Sequence, residues 1–571
     1  MRFKLIESVI FFFLSLIVGG LFYLQIIHGD YYHRQSTNNR IRVVVSDALR
    51  GRILDRRGIV LADNRMAFHL GVIAQDIENK KVLFDYLGRV LNRDPALLER
   101  QFLRKKTAPF APVILAEDIP RELAVKIEEE KFLYPGLEIQ QGFQRFYPKD
   151  DIGAHILGYV GKIDDTQLQD QDLYGVTPLS IVGKTGIENE YDADLQGTPG
   201  GRQIEINSRG RQVRLLGLKD AVGGLDVTLT VDQRLQEAAQ ELLKGSRGSI
   251  VVLGLDRADV LCLVSSPSYD PNVFTNKNKR DHLDVYFKDT ETPLLNRAVS
   301  GQYPPGSVFK IPLALAALER HKITPSTRFD CPGYMMVGHR KFGCSHVHGV
   351  QDLTGALARS CNVYFFHLGE LVGAPIIGAY SKAFGLNRPT GIDLPFEASG
   401  KLITSSPQGL GWYTGDTLNL SIGQGYTLTT PLQLTVLMAA VANKGVILRP
   451  RLVQAVGERQ ILPLDFSQRP IVRLRDETWD AVEKGLKAVV DDQEGTGHSL
   501  RDIKGLEIYG KTGTAQSVHG KPNHAWFAGY TRSPKKENIA FCVFLEYGGS
   551  SENAVIKARD LLLKLQTLQI I

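Results

Sequence analysis

The feature that most constrains this chain is an uninterrupted apolar segment close to its start. Residues 9–27 carry no charged side chain, and Arg2 and Lys4 precede them. As a helix, these residues span about 30 Å, the thickness of the hydrocarbon core of a membrane. A cleaved signal peptide has a shorter apolar region and a small-residue cleavage site, whereas residues 25–30 read QIIHGD. The sequence therefore predicts an uncleaved transmembrane anchor.

The charges around this segment predict its orientation. After the apolar span the next basic residue is Arg34, and basic residues accumulate on the cytoplasmic side of a span. We therefore expect residues 1–28 to be a cytoplasmic tip and anchor, with the rest of the chain outside the cytoplasmic membrane. The net charge of +6 over 571 residues is too small to suggest nucleic acid binding.

The part of the chain after the anchor divides into two regions near residue 222, where the pattern of apolar and polar residues changes. Residues 29–222 are mixed, with two short strands around Gly58, helices over 78–103 and 117–131, and a strand over 202–206. Residues 223–571 begin with strands and a helix over 233–244, continue through a helical middle, and end with strands at 506–509, 526–530 and 539–546 before a helix over 553–568. This order predicts an α+β fold around one sheet.

Three short motifs in the second domain predict nucleophilic chemistry. They are Ser-x-x-Lys at 307–310, Ser-x-Asn at 360–362 and Lys-Thr-Gly-Thr at 511–514. A serine needs a base within hydrogen-bond reach, and residues three apart share one face of a helix, so Ser307 and Lys310 can meet there. Apolar neighbours such as Phe309 would lower the pKa of the lysine. Pro312 fits only if the helix has just begun.

The other two motifs supply complementary groups. The Ser360 hydroxyl can relay a proton, and the Asn362 amide can orient the lysine or a substrate. Lys511 can hold a substrate carboxylate by its charge. Gly513 permits close backbone approach, and the Thr514 amide is suited to an oxyanion hole.

Each motif also occurs elsewhere in the chain, so order and setting must distinguish them. Ser-x-x-Lys recurs at 533–536, Lys-Thr-Gly at 184–186, and Ser-x-Asn at 36–38 and 551–553. The copy at 184 has no Ser-x-x-Lys before it, and the copy at 533 follows the Lys-Thr-Gly that it should precede.

Taken together, the motifs resemble those of class B penicillin-binding proteins of the elongation type. The resemblance extends to residues 50–56 (RGRILDR), 145–148 (RFYP), 158–161 (GYVG), 183–188 (GKTGIE), 415–417 (GDT), 421–426 (SIGQGY) and 524–527 (HAWF). It implies a pedestal of the dimerisation type over residues 29–222 and a serine penicillin-recognising, β-lactamase-like transpeptidase domain over 223–571.

The resemblance also implies an activity and a site. The activity is that of a peptidoglycan D,D-transpeptidase that is acylated by stem peptides or β-lactams, with a membrane glycan polymerase as partner. Ser307 would be the nucleophile and Lys310 its base, with Ser360, Asn362, Lys511 and Thr514 completing the catalytic set. The substrate would also meet three further residues, Thr512, Gly513 and Trp526.

Cysteines form a second cluster around the Ser-x-Asn motif. Three thiolates and an imidazole make a closed tetrahedral set for structural zinc, and Cys331, Cys344, His348 and Cys361 supply these groups. A Cys331–Cys344 disulfide and buried free thiols are the alternatives. Similar proteins keep comparable residues here, which favours zinc, and Asp330 and His346 are possible substitute ligands.

Two other functions are compatible with parts of the sequence. A β-lactamase-like hydrolase can carry the same motifs, but the long pedestal and the anchor argue against it. A catalytically silent scaffold that activates a glycan polymerase would not need intact motifs. Acylation by penicillin distinguishes the enzyme from the scaffold.

Overall fold

The computed structural model describes residues 2–32, 41–46, 48–106, 109, 111–163, 181–207, 212–275, 283–406, 411–463, 472–517, 520–533 and 537–571. Its helices are Arg2–Phe22 (α1), Lys80–Leu91 (α2), Pro95–Lys105 (α3), Arg121–Glu130 (α4), Ala154–Leu157 (α5), Gly186–Glu190 (α6), Asp192–Gln196 (α7), Gln233–Leu242 (α8), Asn272–Thr275 (α9), Leu283–Lys288 (α10), Lys310–Glu319 (α11), Leu353–Ala358 (α12), Asn362–Val372 (α13), Ala374–Ala383 (α14), Thr414–Ser421 (α15), Pro431–Ala442 (α16), Asp476–Asp491 (α17) and Ser551–Thr567 (α18).

The strands are Ile41–Ser46 (β1), Ile53–Leu54 (β2), Val60–Ile73 (β3), Pro112–Ile119 (β4), Leu137–Phe146 (β5), Val160–Lys162 (β6), Ile181–Gly183 (β7), Gly200–Ile206 (β8), Gln212–Lys219 (β9), Val227–Leu229 (β10), Gly248–Gly254 (β11), Val260–Ser266 (β12), Phe329–Cys331 (β13), Tyr334–Val337 (β14), Arg340–Gly343 (β15), Gly349–Gln351 (β16), Val453–Val456 (β17), Arg459–Gln460 (β18), Glu507–Ala515 (β19), His524–Arg532 (β20) and Ile539–Leu545 (β21).

Helix α1 continues through a π-helical turn, Tyr23–Ile27, and the apolar side chains from Val9 to Ile27 are exposed. Ser8–Ile27 has a mean hydropathy of 2.3 and none of it is buried, so it is long and apolar enough to cross a membrane. Helices α13 and α14 are also apolar, but they are bent by 100° against each other. Most of their residues are buried in the core, so packing explains their composition. The structure thus contains the helix that the predicted single-span anchor requires.

The chain forms two compact units. The first contains residues 1–50, 64–144 and 196–224, and the second contains 51–63, 145–195 and 225–571. The chain passes from the first unit to the second for the last time between residues 224 and 225, close to the predicted domain boundary at 222. Segments 51–63 and 145–195 were expected in the N-terminal domain. They belong instead to the same compact unit as residues 225–571.

In the first unit, helices α2, α3 and α4 pack on strands β3 and β4 around a shared apolar core. The predicted single helix over 78–103 is wrong, because it breaks at Asn92, which has φ +50°. Asp94 then caps a new helix that has Pro95 in its first turn. The predicted helix over 117–131 is confirmed from Arg121, where α4 starts, but its first residues, up to Ile119, belong to β4. The predicted strand at 202–206 is confirmed as part of β8.

In the second unit, a buried ion pair connects the segments that precede the catalytic motifs. Arg145 Nε lies 2.5 Å from Glu188 Oε1, and both side chains are almost completely buried. Arg145 Nη1 also donates to the Gly51 carbonyl at 2.8 Å. Such additional bonds offset part of the cost of burying the two charges. Residues from three of the motifs quoted above, at 50–56, 145–148 and 183–188, therefore meet at this buried ion pair.

The main sheet of the second unit has the antiparallel order β12-β11-β21-β20-β19. Strands β11, β12 and β21 are buried along their length. Helices α8 and α18 contribute to one core against this sheet, and the buried helix α16 contributes to the other. This confirms the predicted α+β class and the predicted strands at 526–530 and 539–546. Strand β19 lies at one edge of the sheet.

Candidate active site

Ser307 lies in a tight turn at the start of a buried helix. Residues Gly306–Phe309 form a 3₁₀ turn, and α11 follows directly from Lys310. Pro312 is in the first turn of α11, as its ring requires. The Ser307 side chain is half-buried, whereas every residue from Lys310 to Leu318 is buried.

Lys310 is completely buried and its ammonium is fully bonded to the Ser-x-Asn motif. Its Nζ donates to Ser360 O at 2.8 Å, to Ser360 Oγ at 3.3 Å and to Asn362 Oδ1 at 2.7 Å. Burial lowers the pKa of Lys310 to about 8, although the thiols of the cysteine cluster act in the opposite direction. Among the described residues, Ser307 and Lys310 are not hydrogen-bonded to each other. Catalytic hydrogen bonds are often absent or long before substrate binds.

The Ser360 hydroxyl lies between two lysines. Lys511 Nζ donates to Ser360 Oγ at 2.8 Å and to Thr512 O at 3.1 Å. Burial, and then the positive charge of Lys310, lower the pKa of Lys511 well below its usual value. Ser360 has φ +56°, a left-handed conformation that costs a serine about 1–3 kcal/mol. Because both lysines are bonded to the Ser360 hydroxyl, this hydroxyl can pass a proton between groups on either side of the reaction.

The Lys-Thr-Gly-Thr motif was expected to follow a strand at 506–509. It lies instead within β19, because the strand continues to Ala515. Lys511, Thr512 and Gly513 are buried and Thr514 is exposed. A Cβ at Gly306 would lie 2.8 Å from the Thr514 carbonyl oxygen, so the nucleophile turn is packed directly on the strand. This contact places the turn of Ser307 directly beside Thr514, the residue that the sequence predicts for an oxyanion hole.

Trp526 lies behind the site. It faces Gly513 across the β19–β20 pair, is completely buried, and donates from its indole N–H to Pro304 O at 3.0 Å. In this position it supports the turn that carries Ser307. Trp526 has no exposed surface in this structure, so it does not offer the predicted contact with substrate.

The cysteine cluster adjoins the same motif. One ligand atom from each of Cys331, Cys344, His348 and Cys361 lies within 4.8 Å of the others. His348 Nδ1 is 3.6 Å from Cys331 Sγ and 3.5 Å from Cys344 Sγ, and all three cysteines are free thiols. The spacing and the donor set fit a tetrahedral metal site.

Hydrogen bonds favour an ionised thiol in this cluster. Bonds from the Cys361 thiol and from backbone N–H groups hold the pKa of Cys344 below its usual value. The Asn362 N–H donates to Cys344 Sγ at 3.1 Å. A thiolate is the form that binds a metal, and it is here connected directly to a residue of the Ser-x-Asn motif.

The alternative copies of the motifs lie elsewhere. Thr185 precedes the short helix α6, and Ser551 begins α18. Residues 36–38 and 534–536 lie outside the described residues. None of the copies that the structure describes is brought to Ser307.

Two residues at the site were not anticipated. Gly423 lies against the nucleophile turn, because the Gly306 N–H donates to its carbonyl at 3.1 Å. Thr496 accepts a hydrogen bond from Thr512 Oγ1 at 2.7 Å. Gly423 belongs to the motif at 421–426, which was quoted only for its resemblance, and the sequence Gly-Thr-Gly at 495–497 is a signal for a tight loop.

A half-buried serine at a turn, two buried lysines and a shared hydroxyl beside an edge strand define a serine acyl-transfer enzyme. Residues 248–563 match the family model described as the penicillin binding protein transpeptidase domain. Residues 45–229 match the penicillin-binding protein dimerisation domain. The chain belongs to the penicillin-binding protein transpeptidase family.

Two of the most similar sequences are called peptidoglycan D,D-transpeptidase MrdA. The protein from Haemophilus influenzae is 32% identical, with 95% of this chain and 88% of the relative covered. The protein from Acinetobacter baumannii is 34% identical, with 93% and 82% covered. Among solved structures, a complex between PBP2 and MreC from Helicobacter pylori matches with a TM-score of 0.82 and 26% identity over 93% of this chain and 100% of that chain. Pseudomonas aeruginosa PBP2 in complex with WCK 5153 matches with a TM-score of 0.70 and 30% identity over 92% and 96%.

Gly423 provides a test of the nucleophile turn. A Cβ there would lie 2.2 Å from Gly306 O, and its φ of +67° already disfavours other residues. We expect Gly423→Ala to slow acylation of the purified full chain by fluorescent penicillin by at least tenfold, because small displacements of reacting groups are costly. Gly425→Ala is the control, since φ is +75° but the nearest atom is 3.6 Å away. Equal rates in the two variants would show that the turn tolerates the displacement.

Proposed function

We propose that the D,D-transpeptidase reaction of this chain proceeds through an acyl-enzyme on Ser307 and cross-links peptidoglycan stem peptides during cell elongation. The observation that carries this proposal is the Ser360 hydroxyl bonded to both buried lysines, Lys310 and Lys511. Such an arrangement provides a base, a proton relay and a positive charge beside one serine.

In the first half-reaction, Ser307 Oγ attacks the carbonyl carbon of the penultimate D-Ala of the donor peptide. Lys310 takes the hydroxyl proton, and a pKa of about 8 leaves part of this lysine neutral near pH 7. The proton passes through Ser360 to the nitrogen of the terminal D-Ala, which leaves as the C–N bond breaks. Backbone N–H groups of Ser307 and Thr514 stabilise the negative oxygen.

In the second half-reaction, an amine of a neighbouring stem peptide attacks the acyl-enzyme. Its proton returns through Ser360 and Lys310 to Ser307, so the new peptide bond forms as the ester bond breaks. A β-lactam follows the first half-reaction, with opening of its ring in place of loss of D-Ala. Lys511 attracts the carboxylate of either substrate.

The alternative functions are less well supported. A silent scaffold does not require two lysines to be completely buried around one serine, and burial of charge is expensive. A hydrolase of the β-lactamase type does not account for the dimerisation domain or the apolar N-terminal helix.

We also propose where the chain acts. The apolar helix would anchor it in the cytoplasmic membrane, with Ser307 on the outer side. Solved structures similar to this chain include a PBP2 complex with MreC and a peptidoglycan synthase complex described as structurally coordinating polymerization and crosslinking. These assemblies support a membrane glycan polymerase of the elongation machinery as a partner of this chain.

The four-residue cysteine and histidine cluster is proposed to hold one structural zinc ion. Zinc with these four ligands has no open position for water, so its chemistry would be structural. It would connect the loop that carries Cys331, Cys344 and His348 to the residue between Ser360 and Asn362. The thiolate character of Cys344 supports this proposal.

Substitution of the nucleophile tests the catalytic assignment. We expect Ser307→Ala to abolish the penicillin adduct and Lys310→Ala to lose nearly as much, because nucleophile and base act as a unit. Ser533→Ala, in the other Ser-x-x-Lys, should be labelled like the wild type. Mass spectrometry of the labelled peptide identifies the site, and an adduct on another serine would refute the assignment.

The anchor is tested by the mature N-terminus. Retention of the apolar helix predicts that protein extracted from membranes begins at or near Met1 when it is sequenced. A mature chain that begins near residue 29 would show that the segment is a cleaved signal peptide.

The metal proposal is tested by analysis and by substitution. Protein purified without added zinc should contain about one zinc per chain. His348→Ala should lower the thermal midpoint and slow acylation through displacement of Ser360, since a metal ligand is lost. His339→Ala is the matched control, because this exposed histidine is neither one of the four clustered residues nor a substitute ligand. A metal-free protein of unchanged stability, or a mapped Cys331–Cys344 disulfide, would overturn the proposal.

A further inference from the structure

A second cavity lies in the transpeptidase domain, between the end of α14, the buried helix α16 and the segment that precedes β17. Its volume is about 250 Å³, and none of the residues that line it belongs to the catalytic motifs or to the cysteine cluster. Four buried apolar side chains form its interior: Phe384, Val436, Ile447 and Leu448. Two exposed arginines, Arg388 and Arg449, line the same cavity. The cavity therefore has an apolar interior and a cationic rim.

The two arginines have no acidic partner in the part of the chain that the structure describes. The Arg388 guanidinium makes neither an ion pair nor a hydrogen bond with any of these residues. Arg449 Nε donates to the Gly391 carbonyl at 2.7 Å, and this bond leaves both of its Nη groups without a described partner. Both guanidinium groups can therefore bind an anion without first breaking an ion pair.

The nearby carboxylates are used to fold the loop beside the cavity. Glu397 accepts from the backbone N–H groups of residues 390 and 391 at 2.6 Å and 2.9 Å. Asp393 accepts from the N–H groups of residues 452 and 453 at 2.6 Å and 2.8 Å. These bonds compensate the two negative charges locally, so the positive charge at the rim of the cavity is not cancelled by an ion pair.

A buried glutamine holds the cavity in shape. Gln433 Nε2 donates to Arg388 O and to Ser399 O, both at 2.8 Å, and Gln433 Oε1 accepts from the Thr430 N–H at 3.0 Å. The backbone that carries Arg388 is thus fixed to the start of α16. A site that is formed before its ligand arrives loses less conformational freedom on binding.

We propose that this cavity binds a small amphiphilic anion. Its apolar group packs on the four buried side chains, and its carboxylate or phosphate bonds to Arg388 and Arg449. Guanidinium groups bind both kinds of acid in a bidentate manner. An apolar cavity of about 150 Å³ accommodates a benzene ring, so this larger cavity has room for a ring and an acidic group. Binding here is separate from the reaction at Ser307 and does not depend on it.

The experiment uses four small probes that separate charge from apolar contact. 3-Phenylpropionate and phenyl phosphate carry a ring and an acid, 3-phenylpropionamide carries the ring without the charge, and acetate carries the charge without the ring. Each is titrated by ligand-observed NMR against the full chain in nanodiscs, with empty nanodiscs as background, before and after acylation of Ser307 by penicillin.

At least one of the two aromatic anions should bind with a dissociation constant of about 1 mM or lower. The amide and acetate should bind at least about fivefold more weakly, because each lacks one of the two contacts. Acylation of Ser307 should change none of these values. The tighter of the two anions identifies the acid that the cavity prefers, and either preference supports the proposal.

Substitutions at the rim test the role of the arginines. Arg388→Gln should weaken binding of the aromatic anion about five- to twentyfold, which is typical of lost hydrogen bonds to a charged group, and should leave the amide unchanged. Arg449→Gln should act in the same direction, and Arg388→Lys, which keeps the charge but not the planar fork, should lie between Arg388→Gln and the wild type. Arg501→Gln is the matched control, since this exposed arginine does not line the cavity.

Unchanged thermal midpoints and penicillin acylation rates show that the variants are folded. Equal binding of the aromatic anions to the wild type, Arg388→Gln and Arg449→Gln would overturn the proposal, as would equal binding of acid and amide. Binding that disappears on acylation would place the probe in the active site and would overturn it as well.

Discussion

The site depends on one hydroxyl group that serves two buried ammonium groups. Ser360 Oγ accepts from Lys310 at 3.3 Å and from Lys511 at 2.8 Å. A buried cation is unfavourable unless acceptors compensate for lost water, and here the acceptors are the Ser360 and Thr512 carbonyls and the Asn362 amide oxygen. Burial favours the neutral amine on both lysines, and the charge of Lys310 adds to this at Lys511. The same burial that costs stability thus provides the base.

This arrangement forces three distant segments to meet within a few ångströms. The nucleophile turn lies on the edge strand β19, where Gly306 approaches the Thr514 carbonyl too closely for a side chain. Ser360 adopts its left-handed conformation between helices α12 and α13, where the Cys361 N–H donates to Ala356 O at 2.9 Å. Such strain persists only when its surroundings determine it. The cysteine cluster that includes Cys361 and the loop of Thr496, whose N–H donates to Ala358 O at 3.1 Å, are such surroundings.

Supporting residues account for much of the sequence outside the three motifs. Arg145 and Glu188 bury an ion pair in the same compact unit as the site, although they precede the catalytic motifs by more than a hundred residues. Trp526 supports the turn from behind through Pro304 O. These residues carry no reaction step, but they hold the reacting groups at the separations that catalysis needs.

The sequence by itself determined the apolar helix, the α+β class, the strands at 526–530 and 539–546 and the set of motif residues. These are local properties, since hydrophobic length, strand alternation and motif order are written along the chain. Tertiary structure decided what each residue does. Burial separates Trp526 and Thr512 from the exposed Thr514, and the contacts of Gly423 and Thr496 join segments that are far apart in sequence. The break at Asn92 was also missed, because a helical apolar pattern continues through the αL residue that ends the helix. The physical reason is that burial and hydrogen-bond partners arise from non-local packing, which the periodicity of one segment does not encode.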